Sequence, residues 1–575
     1  MKLASFFREL YSLDTLDTRF TNSATTPLKA DGQKATATAT TTTNPDSKLP
    51  PGTSPPKWNT PEFYFYLVVF LICVPQMYWA VAEVSLQSSP HYETYQHLLS
   101  DGWLLGRKVD NSDNQYATFR ENVPYLALLL VVQPLLRRAY ERFSGIPKSS
   151  STSSNGSVKP SVPAAIAAAA RARRRLDSRL TFDFFFGLVF ISALHGFAAL
   201  KVLLILYINF LLATRLPRKY IPPATWIFNI STLFANELAR GYPFATVAST
   251  LLPFSPAAVE AGRFLDAHCG LMSRWEVLFN ITVLRLISFN LDYYWSLNSA
   301  GSRSASPIEK KQLDPSALSE RDRVTTPAPA DLFTSLPTYL AYVLYSPLYL
   351  AGPILTFNDY ISQSSYPARS LSARRTTLYG IRFLLVLFCM EFVLHTIYVV
   401  AISKANPDWS TYTPFQLSML AYFNLHIIWL KLLIPWRFFR LWALIDGIDP
   451  PENMVRCMSD NYSGLAFWRS WHRSYNRWII LAGLAFPAKA WRDRPTAYRV
   501  ICGIGAVANV FMMMTANLVG FALGLDGLKG LVQGIVGSWQ GAVFLLTACS
   551  ALFVGVQVMF EHREDEKRKG IRMRC

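Results

Sequence analysis

The 575-residue chain is 51% hydrophobic and 14% aromatic, and only 16% of its residues are charged. A charged share so far below the roughly 25% of an ordinary soluble domain, with long charge-free runs, argues against a water-soluble fold. The net charge of +18 does not argue for nucleic acid, because the basic residues lie between apolar runs, the distribution that the positive-inside rule produces.

Residues 1–60 are rich in Thr, Ser, Pro and Ala. Such a segment cannot bury enough apolar surface to order itself, and it reads as a disordered cytosolic tail. The first 25 residues hold no compact apolar core of a cleaved signal peptide, so the first span is expected to direct insertion. That span covers 63–82, is free of charge and ends with Tyr78 and Trp79 at interface depth. After a polar loop, 123–136 is short and holds Pro124 and Pro134, which suits a tilted span or a re-entrant piece. Residues 137–179 carry ten basic and two acidic side chains. They read as a cytosolic loop that would also suit anionic lipid headgroups.

Further on, 184–212 is apolar except for Lys201 and reads as one long helix or two shorter ones. Spans are expected at 221–235 and 275–295, followed by a polar loop at 298–331. The runs 336–357, 378–402, 415–435, 500–525 and 530–560 continue the bundle, before a charged tail at 561–575. The expected fold is an all-α polytopic membrane protein: one domain over 61–560, with roughly ten transmembrane helices by the length criterion.

The seven cysteines show no metal-ligand spacing and no paired framework, so neither a metal site nor a structural disulfide is expected. Four N-x-S/T sequons stand at Asn155, Asn229, Asn280 and Asn461. Two fall inside apolar runs and one in the basic loop, so none is expected to be a strong glycosylation site.

The segment from Asp446 to Trp478 stands out. It concentrates Trp, Arg, His and Asn between membrane helices, and polar residues at membrane depth are costly and usually functional. The alternative is an interfacial amphipathic helix, with Trp468, Trp471 and Trp478 at headgroup level and Arg469, Arg473 and Arg477 on phosphates.

Residues 467–476, FWRSWHRSYN, resemble the F-W-x-x-W-H signature of the membrane-bound O-acyltransferases. Residues 450–458, PPENMVRCM, resemble the fungal glycerol-uptake branch of that family in particular. Residues 289–295 (FNLDYYW), 345–354 (YSPLYLAGPI) and 512–521 (MMMTANLVGF) agree with the same branch, and the likeness runs over about 60–575. The Hedgehog acyltransferase group is a relative.

The resemblance implies transfer of a fatty acyl group from acyl-CoA to a lipid hydroxyl, with no further cofactor. The branch is linked to lipid remodelling of glycosylphosphatidylinositol (GPI) anchors, with a lyso-lipid or GPI-anchored acceptor, and less directly to glycerol uptake. It implies the endoplasmic reticulum as location, with the plasma membrane as the alternative. His472 matches the first polar catalytic position of the family. Phe467, Trp468, Arg469, Trp471, Arg473 and Asn476 are the residues expected to bind substrate, with the basic groups suited to CoA phosphates or an anionic headgroup.

The chain departs from its branch at one place. There, the first motif runs into an R-Y-I-Y-x-P-x-G-G stretch, and a second, membrane-embedded histidine follows in a W-H-D context. Here Ile480 passes directly into residues 481–489, LAGLAFPAK, which resemble the text beyond that histidine. The only histidine after His472 is His562, in the charged tail, and it reads as solvated. The resemblance therefore implies that one or two helices, and the principal catalytic base with them, are missing after residue 480. An omitted exon, an inactive isoform, or catalysis by His472 alone would each account for this.

Two other functions compete with acyl transfer. Glu391 and His395, four residues apart on one helix face, could form a proton relay for a glycerol/proton transporter. A lone intramembrane histidine is more often a satisfied helix–helix hydrogen bonder. A catalytically dead scaffold needs neither the relay nor the missing histidine. Asp292, with Arg285 seven residues earlier on the same face, reads as a structural pair or as tunnel lining.

Overall fold

The computed structural model describes residues 2–20, 55–144, 162–272, 274–301, 320–368, 370–460, 467, 469–483, 529, 533 and 537–569. The expected span at 500–525, the likeness at 512–521 and Trp468 lie outside the described residues. Among the described residues all regular structure is helical, apart from one isolated bridge between Ser100 and Val109.

Four of these helical stretches are long and apolar enough to cross a membrane: Pro61–Val84, Ala167–Arg215, Ala373–Thr396 and Pro414–Ile445. Their starts are written in the sequence. Thr60, Ser372 and Thr413 cap three of them, and Thr413 forms a reciprocal capping box with Gln416. Large apolar side chains such as Phe65, Leu71, Val189 and Leu384 point outward from these helices, each at least 60% exposed. An outward apolar face on a spanning helix is the surface that lipid covers.

The 184–212 run proves to be two helices. Val162–His195 ends in a short turn at Gly196–Ala198, and Ala199–Arg215 follows. Gly196 has φ +53°, and a Cβ there would lie 2.0 Å from the His268 carbonyl oxygen, so only glycine fits the break. The prolines at 124 and 134 break nothing, since both lie inside the 30-residue helix Asn114–Phe143. The remaining expected spans are shorter or carry buried polar groups. Ile221–Leu238 and Trp275–Gly301 pack together, and Asn209, Asn229, Asn290 and Thr225 bridge them and Ala199–Arg215 through hydrogen bonds of 3.0–3.1 Å. Asn229 is thereby fully buried.

The expected span at 336–357 is not one helix. It consists of Leu336–Val343 and Ser346–Tyr349, followed by non-helical backbone to Thr356. Pro347, Gly352 and Pro353 interrupt it, and a Cβ on Gly352 would meet the Leu348 Cα at 2.5 Å. Freed carbonyls buried in a membrane protein must find partners within the protein. Arg285 supplies them: its Nη1 donates to the Val343 carbonyl at 2.9 Å and its Nη2 to that of Leu348. Arg285 is therefore not the partner of Asp292, whose carboxylate accepts the Asn358 amide at 3.3 Å.

The basic loop expected at 137–179 is corrected at both ends. Arg137 belongs to Asn114–Phe143 and Arg179 to Val162–His195, and both side chains are buried against Asp446. They fold inward because the Asp446 carboxylate gives them a partner that lipid does not.

The N-terminal tail is corrected too. Residues 2–20 form helices Lys2–Leu10 and Leu13–Leu16 and a turn at Thr18–Phe20, with Leu10, Leu16 and Asp17 buried. Composition concealed this, because the segment is held by charge rather than by apolar area. Arg375 and Arg382 donate to its Asp14 and Ser12 carbonyls.

Candidate active site

The Pro414–Ile445 helix stops at Asp446, and Gly447 turns the chain with φ +89°. The loop that follows, through Asn453, is almost wholly buried. Buried carboxylates are costly unless paired, and here each is paired more than once. Asp446 accepts from Arg137 Nε (2.6 Å), Tyr345 Oη (2.6 Å) and Gln133 Nε2 (3.2 Å), and also pairs with Arg179. Asp449 accepts from Ser370 Oγ (2.6 Å), Arg375 Nη1 and Arg440 Nη2 (both 3.0 Å) and Arg19 Nη1 (3.4 Å). Glu452 accepts from Tyr379 Oη (2.7 Å) and Arg440 Nη1 (3.4 Å). Burial alone would raise the Asp446 carboxyl, but Arg179 and Arg137 hold it below its usual range. Burial is likewise overcome at Asp449, where Arg19, Arg375 and Arg440 hold the carboxyl well down.

This charged platform carries the motif. Asn453 reaches across to the next turn of chain: its carbonyl accepts the Arg473 amide at 2.9 Å, and its Oδ1 accepts the Ser474 amide at 3.3 Å. Helix Arg473–Gly483 begins there. His472 precedes it with φ +43°, a left-handed conformation that a non-glycine residue keeps only when its surroundings impose it. Its carbonyl accepts the Tyr475 and Asn476 amides at 3.0 and 3.1 Å, and its ring lies 4.4 Å from Trp436 and 5.3 Å from Tyr475, centre to centre. Burial pushes the imidazole down to about 4, so at neutral pH it is uncharged.

The expected substrate-binding residues divide. Phe467 and Trp471 pack against each other at 5.3 Å, and Asn476 Nδ2 donates to the Trp471 carbonyl at 2.8 Å, closing the turn around His472. Arg469 is exposed. Arg473 is buried and donates to Asp17 at 3.2 Å, so its charge already serves the fold rather than a phosphate. Two cavities flank Trp478 on the same helix. One of 210 Å³ is lined by Ser288, Asp292, Thr356 and Asn358, and one of 30 Å³ by Ile354, Ser474 and Arg477. The buried Trp478 Nε1 has no hydrogen-bond partner, which leaves a donor beside these spaces.

Glu391 and His395 are not part of this site. Arg375 touches Asp449 near the start of Ala373–Thr396, and Glu391 lies 16 residues further on, roughly 24 Å along the axis. Arg120 grips the Glu391 carboxylate with two bonds of 2.7 and 2.8 Å, and Trp103 Nε1 adds a third at 3.2 Å. Both His395 nitrogens are engaged, Nδ1 by the Glu391 carbonyl at 2.7 Å and Nε2 by the Trp103 amide at 3.3 Å. These contacts give the pair structural work and leave no nitrogen open for a relay.

The residues that sequence reasoning missed are Asp17, Arg19 and Arg179, which hold the platform from distant parts of the chain, and Arg440 on the helix that leads into it. One signal was on the page: three carboxylates in DGIDPPE, fixed by two prolines and a glycine just before the motif.

Comparison with known proteins bears on this site. Residues 224–481 match MBOAT, the membrane-bound O-acyltransferase family, and the match stops one residue beyond the Ile480–Leu481 junction. The chain is 41% identical to Membrane-bound O-acyltransferase GUP1 of Candida tropicalis over 622 positions, covering 99% of this chain and 95% of that protein. It is 39% identical to Membrane-bound O-acyltransferase GUP1 of Saccharomyces cerevisiae over 573 positions, covering 91% and 94%. A more distant likeness, 26% over 160 residues, is to Protein-cysteine N-palmitoyltransferase HHAT of Mus musculus, covering 27% of this chain and 32% of that protein. The Candida alignment has more positions than the 575 residues of this chain, so that relative carries residues with no counterpart in this chain.

Proposed function

The chain belongs to the membrane-bound O-acyltransferase family, and on that footing we propose that it moves a fatty acyl group from acyl-CoA to a lipid hydroxyl, with His472 as one of the polar catalytic residues. The observation that carries this reading is the His472 turn: a neutral, half-buried imidazole held on a charged platform, at the start of the helix whose Trp478 lines a largely apolar cavity. A membrane-embedded site shields a thioester from water and aligns two apolar substrates. The acceptor we favour is a lyso-lipid in GPI-anchor remodelling, in the endoplasmic reticulum, as the resemblance to the glycerol-uptake branch implies.

We place the missing stretch at the Ile480–Leu481 junction. The text changes there and the family match stops one residue beyond it, which supports the position, while the length of the Candida alignment supports a loss without placing it. An omitted exon accounts for all three. A dead scaffold accounts for them as well and is the second reading. Transport is disfavoured by the contacts that occupy Glu391 and His395.

Sequencing the full-length transcript across the junction, and assaying the protein it encodes for transfer of labelled acyl-CoA to a lyso-lipid, separates the readings. Extra codons with a Trp-His pair in an apolar run, together with transfer, support the enzyme. A transcript that reads straight through, with no transfer, supports the scaffold.

A further inference from the structure

We propose that Asp17 is a positioning residue for the His472 turn, tying Arg473 to the Glu452 amide across the two ends of the motif-bearing segment. The proposal deepens the reading above and rests on it only in treating His472 as the working imidazole.

Asp17 is fully buried. One oxygen accepts the Arg19 amide at 3.0 Å and Arg19 Nη1 at 3.1 Å. The other accepts the Glu452 amide at 3.1 Å and Arg473 Nη1 at 3.2 Å. Residues 452 and 473 bracket the segment that carries Phe467, Trp471 and His472. A single carboxylate therefore closes that segment from outside, while Asn453 closes it on the backbone.

The strap that delivers Asp17 is itself fixed on several sides. Arg375 Nε donates to the Asp14 carbonyl at 3.1 Å, and Arg440 Nη1 to that of Leu16 at 2.9 Å. Arg19 continues onto the Asp449 carbonyl at 2.5 Å. A left-handed histidine is held only by an over-determined surround, and the residue that follows it is the one Asp17 grips. Asn at position 17 keeps the shape and loses the charge. The Arg473 contact then weakens from an ion pair to a hydrogen bond in which only the guanidinium is charged, and the His472 turn relaxes.

The test uses the full-length chain in native membranes, labelled with diethyl pyrocarbonate, with modified peptides quantified by mass spectrometry. This reagent reports the accessibility of each histidine whether or not the protein is active. Asp17→Asn is expected to raise the labelling rate of His472 several-fold over His91 and His562, and Asp17→Glu to restore most of the protection. An unchanged His472 rate overturns the proposal, as does a rise shared by all three histidines, which marks general loosening. Should Asp17→Asn fail to accumulate, Arg473→Gln removes the other side of the same contact. It is expected to give the same selective rise, and an unchanged rate there overturns the proposal equally. Absence of acyl transfer by the wild type counts against the function proposed above and leaves this contrast readable.

Discussion

Asp449 shows how much of this molecule depends on a few buried charges. Three guanidinium groups and a hydroxyl converge on its carboxylate. Removing one partner of a buried pair costs roughly 3–5 kcal/mol, because the other charge is left behind. Asp449→Asn is expected to fall in that range, read as a lower melting temperature in detergent; an unchanged melting point would show that the arginines find other partners. The same groups set a pH dependence. Burial lowers His472 from 6.5 to about 4, so between these values the unfolded chain binds the extra proton and stability falls as pH drops. Asp17, Asp446 and Asp449 are all held below the ordinary 3.8. Their contribution is present above that value and is lost as pH falls through the lowered ones. Melting temperature should therefore fall in two stages on acidification, first below about pH 6.5 and again below about pH 4; a flat profile from pH 7 to 4 would contradict the burial of His472.

At the scale of elements, charge-free apolar length made the long helices legible, and the caps at Thr60, Ser372 and Thr413 agree with them. The break at 344–356 was not legible, because an apolar run is compatible with a span and with buried irregular backbone alike. What decides between them is Arg285, from another helix. Arg285→Leu leaves the Val343 carbonyl without its donor, at a cost of about 1–3 kcal/mol, and the Leu348 carbonyl with only the Gly352 amide at 3.3 Å. The expected result is reduced yield of folded protein by size-exclusion chromatography in detergent, while a normal yield would show that the break is held by its neighbours. The motif was legible as chemistry, but its support was not. Sequence reasoning gave Arg473 to a phosphate, and the structure gives it to a carboxylate 456 residues away.

Over the whole molecule, both ends of the chain meet one face. Lys57, just before the first spanning helix, donates its amide to Glu561 at 3.1 Å, and Arg563 and Glu566 pair with Asp460 and Arg456 at 2.8 and 2.5 Å. Epitope tags at the two termini are expected to show the same protease protection in sealed microsomes, and opposite protection would contradict this packing. The N-terminal strap, the charged platform and the His472 turn share that face, which is where a water-soluble acyl-CoA would arrive if the basic side faces the cytosol. The stretch proposed to be missing after residue 480 rests on resemblance alone, because no local rule of charge or period marks a deleted segment.

The most direct test of the central claim compares two membrane preparations. One contains the protein encoded by the full-length transcript, the other its His472→Ala variant, each supplied with labelled acyl-CoA and a lyso-lipid acceptor. Labelled product is expected from the first and none from the second. Equal product from both would show that His472 is structural and that the chemistry lies elsewhere.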